Sequence, residues 1–359
     1  MENTNANWQD LRPRERMEYL LNSGHLSDCS FMVFDEEGNK IVLKCHKFVL
    51  MTASPVFERM FDGDFEESKS PDNIVLDDVS GLDFKKFIEY LYWHDNRRLD
   101  GFELSTLQTL IYLSKKFMVS TMTTNCLNVI KRRLAIGLDS DTTVDLYEYA
   151  HQIEDIDLIA GVKTHLCNNP TMYIDTAAVY ELGSEIFLKF ISEFELLVEE
   201  KLRFAVIDRY CRIQGLIKAP LKILIKNDDS DTAHLKVKPQ SPETMASANI
   251  IVPTEETEEF LKDKTDENEN DVENDAKEVD NAEQEHKNKR EQQKKKEYIK
   301  KLVSTIRFTS MNPYDFCRGP GISDLLTVER KYQLLSSICI ATEKMRLNRE
   351  SFLHSGTFE

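Results

Sequence analysis

The spacing of apolar residues changes period several times along this 359-residue chain. Between Ser27 and His46, "SDCSFMVF" and "IVLKC" are apolar runs on either side of the polar turn "DEEGNK", which predicts a β-hairpin. Side chains alternate along a strand, so Cys45 lies with Ile41 and Leu43, while His46 lies with Val42 and Lys44. Beyond His46, Val49, Ala53, Val56, Phe57 and Met60 follow helical spacing. Ser54 and Pro55 interrupt it, serine as a preferred N-cap and proline as a first helical residue. The prediction is a short helical turn from about Phe48 and a fresh helix from Pro55 to Phe61.

The same reading extends in both directions. Pro13 to about Asn22 forms a short helix with Met17, Leu20 and Leu21 as its apolar stripe and Gly24 as its stop. "NIVLDD" reads as a strand. A helix from Gly81 carries Phe84, Phe87, Ile88 and Leu91 on one face, and "RRLD" reads as a short edge strand. Two more helices carry Leu104, Leu107, Ile111 and Met118, then Met122, Cys126, Val129 and Ile130. Strands and helices in this order make a small α+β domain ending near Leu134. From Asp139 to about Ile217 the pattern is helical. "TTVDLYEYAHQI" and "DLIAGVKTHLCNN" read as paired helices with Pro170 as a stop, and "SEFELLVEEKLRFAVIDRYCRI" as the longest amphipathic run. Residues Asn227 to Glu297 are polar, acidic and nearly free of aromatics, a composition that predicts disorder because it buries too little apolar surface to offset chain entropy. Helical pattern returns in "YIKKLVSTIRF" and "SDLLTVERKYQLLSSICI", so the acidic stretch is an insert within a helical domain, tolerated because loop-closure entropy grows slowly with length.

Charge and chemistry narrow the classes. The formal net charge is −17, and from Glu255 to Glu285 there are 15 acidic and 3 basic residues, so most of the excess sits in the insert. That balance argues against nucleic acid as a partner. Seven widely spaced cysteines, with no C-x-x-C, favour reduced thiols in an intracellular protein over a disulfide or zinc framework. The charged N-terminus is no secretory signal and no apolar run approaches a membrane span. No nucleotide-, hydrolase- or metalloprotease-type motif occurs, so no catalytic residue, metal or cofactor is expected. Cys45–His46 has the composition of a dyad, but strand neighbours face opposite ways and a nucleophile needs its base within hydrogen-bond reach. Trp93–His94–Asp95 sits at a helix end, where a cap or turn is the plainer account. The basic run "HKNKREQQKKKEYIKK", His286 to Lys301, has three readings: a nuclear localisation signal, the solvated start of a helix, or an intramolecular partner of the acidic stretch.

Taken in order, "HLSDCSFMVF", "KCHKFVLMTASPVFERMFDGDFEESK" and "IVLDDVSGLDFKKFIEYLYWHD" resemble the BTB/POZ family. The markers are Asp28 in the first hairpin strand, His46–Lys47, Val49–Leu50, Ser54, Phe57, Met60–Phe61 and "FEES". The opening "NWQDLRPRERMEYLLNSGHLSD" is similar to the N-terminal extension of a subgroup in which BTB is followed by a BACK domain and a PHR β-sandwich, and "RFTSMNPYDFCRGPG" resembles the end of that BACK domain. The resemblance implies a BTB/POZ domain with a dimerisation extension over residues 1–136, an all-α BACK-like domain over 137–226 and 298–345 interrupted by the insert 227–297, and a tail at 346–359. The chain ends where a PHR domain would begin, so that module is expected to be absent. His46 becomes a fold marker expected to make a structural hydrogen bond. Phe65–Glu66–Glu67 matches the apolar-x-Glu motif of family members that bind cullin-3. Met17, Leu20 and Leu21 pack either on their own subunit or across a two-fold dimer interface, which the resemblance favours. The implied function is a non-catalytic, dimeric, substrate-recruiting adaptor of a cullin-3 ubiquitin ligase, cytoplasmic, with the basic run as a second, nuclear reading. The partners are the cullin-3 N-terminal region, a second copy and a substrate protein the sequence does not name, with neither nucleic acid nor membrane among them. The rival is a cullin-independent dimeric scaffold that uses the acidic insert to recruit partners.

Overall fold

The computed structural model describes residues 7–217, 287 and 289–355. Its first strand, β1 (Cys29–Phe34), occupies the centre of a three-stranded sheet. Helix α1 (Pro13–Ser23) precedes it, started by Pro13 at N1 and stopped by Gly24 at φ 64°, where its N–H donates to the Leu20 carbonyl. Strand β2 (Lys40–Cys45) pairs antiparallel with β1, Cys29 opposite Cys45 and Phe34 opposite Lys40. The predicted period of two is visible in it: Lys40, Val42 and Lys44 are exposed while Ile41, Leu43 and Cys45 turn inward.

Helices α2 (Lys47–Ala53), α3 (Pro55–Asp62) and the single turn α4 (Glu66–Lys69) then lead to β3 (Ile74–Ser80), which lies parallel to β1. Ser54 caps α3 as its spacing predicts, accepting from Phe57 N at 3.2 Å while its hydroxyl donates to the Phe117 carbonyl at 2.6 Å. Helix α5 (Gly81–Trp93) packs on the sheet. Next, "RRLD" departs from the edge-strand expectation: it forms the helical turn α6 (Asn96–Leu99), because the Asp95 carboxylate accepts from Arg97 N at 3.1 Å and caps a helix start there. Helices α7 (Leu104–Lys116) and α8 (Ser120–Ile136) close the core. Phe31, Phe57, Phe84, Phe87 and Phe117 form its centre, with the Phe57 and Phe117 rings stacked 4.5 Å apart and Phe31 edge-on to Phe84 at 5.3 Å.

The remaining described residues form helices: α9 (Ser140–Gln152), α10 (Ile156–Asn168), α11 (Pro170–Tyr173), α12 (Ser184–Glu193), α13 (Glu200–Ile213), α14 (289–304), α15 (Pro313–Arg318) and α16 (Val328–Ser355). The run read as one long amphipathic helix, Ser192 to Ile213, is two. Phe194 is buried against Phe190, their rings 4.9 Å apart, and Leu196 takes a left-handed conformation (φ 67°) that ends the helical path. The acidic stretch expected to be disordered lies outside the described residues up to 286. Its last part, 289–297, is helical instead, because it continues α14 N-terminally from the buried Leu302 and the partly buried Tyr298. The described residues fall into two compact units, split between Glu199 and Glu200.

Candidate functional site

Three groups of predicted residues sit on the first unit, and the structure keeps them apart by role. The first surrounds His46, the residue before α2. Its backbone N–H donates to the Tyr92 hydroxyl at 2.9 Å, its Nδ1 lies 2.7 Å from the same hydroxyl, and its Nε2 lies 2.7 Å from the His25 carbonyl. A carbonyl only accepts, so Nε2 carries the proton, and Nδ1 is then left to accept from Tyr92 O–H. Burial, with the Cys45 thiol nearby, raises the Tyr92 phenol above its usual range, which keeps that donor protonated. Asp28 lies immediately before β1 rather than within it, and its Oδ1 accepts from Lys47 N at 2.7 Å, capping α2. The Lys47 ammonium sits 5.5 Å from the Phe61 ring centre. This constellation ties the hairpin, α2, α5 and the loop after α1 together.

The same geometry disposes of a Cys45–His46 dyad. The Cys45 thiol is buried and points its hydrogen at the Leu43 carbonyl, 3.7 Å away. Burial raises its pKa well above the usual thiol range and pushes that of cross-strand Cys29 to about 12, so neither offers a thiolate. Trp93–His94–Asp95 is a helix end. His94 caps α5 in the left-handed region (φ 47°), and Asp95 pairs with Arg14 of α1, which holds its carboxyl below the usual carboxylate range.

The second group is Met17, Leu20 and Leu21. All three are half-buried on α1, which packs against α5 of the same chain. Ion pairs fasten that helix: Arg14 to Asp95, and Glu18 to Arg98 at 3.5 Å, with Arg98 also 3.3 Å from Glu89 and stacked 4.9 Å from the Trp93 ring centre. Trp8 stacks on Tyr19 of the same helix, ring centres 5.6 Å apart.

The third group is Phe65, Glu66 and Glu67. Phe65 is the residue before α4, and 54% of its surface faces solvent. Glu66 is exposed and Glu67 partly so. Gly63 makes the corner possible. A Cβ there would lie 2.5 Å from the Arg59 carbonyl and 2.7 Å from the Phe65 ring, so only glycine lets the chain turn this tightly. The result is an aromatic ring held at a helix start, followed by two carboxylates in its first turn.

Sequence reasoning missed Tyr92, the buried partner of His46, although its place four residues after Ile88 puts it on the predicted inward face of α5. It also missed the second unit's buried ion pair. There the Glu200 carboxylate accepts from Arg203 Nη1 at 2.9 and 3.1 Å and from Arg307 Nε at 3.1 Å, with Arg203 fully buried. Those partners lie 107 residues apart, beyond the reach of any local pattern. Among the described residues no group of three His, Cys, Asp or Glu side chains could hold a metal ion, and no helix is long and apolar enough to cross a membrane.

The three-stranded sheet with its parallel β1–β3 pair is capped by helices and fixed by the Asp28, His46 and Ser54 contacts. Residues 17–134 match the family model of the BTB/POZ domain, so the chain carries a BTB/POZ domain followed by a helical region. Its curated relatives bear the same domain in their names. It is 25% identical over 222 residues to BTB/POZ domain-containing protein 6 of Xenopus tropicalis, covering 60% of this chain and 40% of that protein. It is 33% identical over 131 residues to the Xenopus laevis protein of that name, covering 36% and 23%. It is 32% identical over 133 residues to human BTB/POZ domain-containing protein 3, covering 36% and 24%. The chain thus spans between about a quarter and two-fifths of the length of these relatives.

Proposed function

We propose that the protein is a dimeric adaptor that brings a substrate protein to a cullin-3 RING ubiquitin ligase and performs no chemistry itself. The observation that carries this reading is Phe65. A large apolar side chain stands exposed at a glycine-made corner, in a loop otherwise built of acidic and small residues, and the two carboxylates that follow complete the apolar-x-Glu pattern. An aromatic anchor of this kind supplies buried contact area on binding, and the adjoining carboxylates supply charge-assisted hydrogen bonds. Helices α9 and α10, in the part read as BACK-like (137–226, resuming at 298–345), would extend the cullin-binding surface. Met17, Leu20 and Leu21 would complete their burial against a second copy, and two substrate sites per dimer would raise avidity. In this reading the protein works in the cytoplasm.

The test is co-elution of the full chain with the cullin-3 N-terminal region in gel filtration at micromolar concentrations. A shared peak supports the adaptor. Separate peaks, with the chain still dimeric, support the second reading: a cullin-independent scaffold that dimerises through α1 and recruits basic partners through the acidic run Glu255 to Glu285.

A further inference from the structure

Three Ser–Pro pairs occur in the chain, at Ser54, Ser70 and Ser241. The last lies outside the described residues, and the structure separates the other two. Ser54 is buried, and its hydroxyl both donates to the Phe117 carbonyl at 2.6 Å and accepts from Phe57 N at 3.2 Å. Ser70 is exposed, and its hydroxyl has no hydrogen-bond partner among the described residues. The serines around it are engaged: the Ser68 hydroxyl donates to the Phe65 carbonyl at 2.8 Å, and the Ser30 hydroxyl accepts from Asn73 N at 2.8 Å. Pro71 keeps Ser70 out of the helical region, at φ −134° and ψ 72°, so α4 ends there. The Ser70 N–H still donates to the Glu66 carbonyl at 2.8 Å and closes the single turn of α4. A free hydroxyl thus stands at the end of the turn that carries Glu66 and Glu67, with proline as the next residue.

We propose that Ser70 is the target of a proline-directed protein kinase, and that its phosphorylation unwinds α4 and withdraws the Phe65–Glu67 surface from a partner. In the transfer a bond forms between Ser70 Oγ and the γ-phosphorus of a nucleoside triphosphate and the β–γ anhydride bond breaks. The nucleoside diphosphate leaves, and the hydroxyl proton passes to the kinase's base. A kinase that selects proline after the acceptor finds that pair on the surface only at Ser70 among the described residues. The product carries about −1.5 to −2 charge at neutral pH. It arrives at the C-terminal end of α4, where the helix dipole disfavours an anion. The stretch from Asp62 to Asp72 already holds five acidic residues against one basic. A single turn has little stability with which to resist, because so short a helix rests on few backbone bonds. Its loss releases the Ser68–Phe65 contact and separates the ring from the carboxylates. The effect on partner binding rests on the adaptor reading above; the modification and the unwinding do not.

The experiment treats the folded full chain with a mitogen-activated protein kinase and ATP. Peptide mapping by mass spectrometry should find phosphate on Ser70 and none on Ser54, and Pro71→Ala should lose the Ser70 phosphate. In the phosphorylated chain the Cα chemical shifts of Glu66 to Lys69 should move from helical to coil values, while those of α3 stay in place. The Kd for the cullin-3 N-terminal region should rise about tenfold on phosphorylation and stay at the wild-type value in Ser70→Ala treated the same way. A folded chain that takes up no phosphate at Ser70, or takes it up as readily in Pro71→Ala, overturns the proposal. So do helical shifts retained over Glu66 to Lys69 in the phosphorylated chain, and so does cullin-3 affinity that is unchanged or tighter after modification. An unmodified chain that does not bind cullin-3 removes the adaptor reading instead, and the phosphate map and the chemical shifts then decide the proposal on their own.

Discussion

Replacing His46 by alanine removes a side chain that bonds at both ends and leaves Tyr92, itself buried, with a hydroxyl proton and no acceptor. Each lost hydrogen bond is worth about 1 kcal/mol net, and an orphaned buried donor costs about 1–3 kcal/mol more. His46 is only half-buried, so water entering the gap offsets part of that. The expected loss is about 2–4 kcal/mol, or roughly 5–15 °C in Tm for a unit of this size. Tyr92→Phe removes the hydroxyl instead and strands the His46 N–H and Nδ1, for about 1–2 kcal/mol. The informative protein is the double variant. With both partners gone, neither the Tyr92 proton nor Nδ1 is stranded, so the two changes should cost less together than the sum of the singles, by about 1 kcal/mol or more. Urea unfolding followed by circular dichroism supplies all four free energies. Additivity within about 0.3 kcal/mol would refute the hydrogen-bonded link between α2 and α5.

Other consequences of the structure can be checked separately. In the second unit, Glu200→Ala strips the buried Arg203 of this carboxylate and should cost about 3 kcal/mol or more, whereas Glu200→Ala/Arg203→Leu should recover much of it; denaturant melts of the two decide. The Asp95 carboxyl, held low by its bond to Arg14, should titrate below the ordinary aspartate range by carboxyl NMR and rise toward that range in Arg14→Ala. Since its folded-state pKa is depressed, its contribution to holding α1 is present above the ordinary carboxylate range and is lost as pH falls through the depressed value. Light scattering of the full chain should report twice 41.7 kDa, and Met17→Glu/Leu20→Glu/Leu21→Glu should return it to one chain mass; a wild-type monomer at micromolar concentration removes the dimer from the account.

Much of this fold is legible because its cues are local. Alternation in Lys40–Cys45, Ser54–Pro55 at a helix start and Gly24 at a helix end each encode backbone geometry within a few residues, and each element forms where those cues place it. Two errors share one cause. "RRLD" has the composition of an edge strand, and Phe194 to Val198 the spacing of a helix, but a side-chain cap at Asp95 and the burial of Phe194 decide the outcome, and neither shows in periodicity. The polar, highly charged composition before Glu297 concealed the N-terminal turns of α14 because disorder is judged over a window, while helix continues residue by residue from a packed end. Of the candidate site, the sequence reveals Phe65 and the carboxylates beside it. The corner at Gly63 that presents the ring depends on backbone closeness, which residue type alone does not disclose.

The most direct test of the adaptor assignment is calorimetric titration of the cullin-3 N-terminal region into the wild-type chain, Phe65→Ala and Glu67→Ala, with a thermal melt of each. An exposed anchor predicts that Phe65→Ala loses about 2 kcal/mol or more of binding, roughly thirtyfold in Kd, while its Tm stays within a few degrees of wild type. Glu67→Ala should lose less if its carboxylate meets the partner at a solvated rim. Wild-type affinity retained by both variants would contradict the site, and a wild-type chain that gives no heat of binding at all would contradict the function.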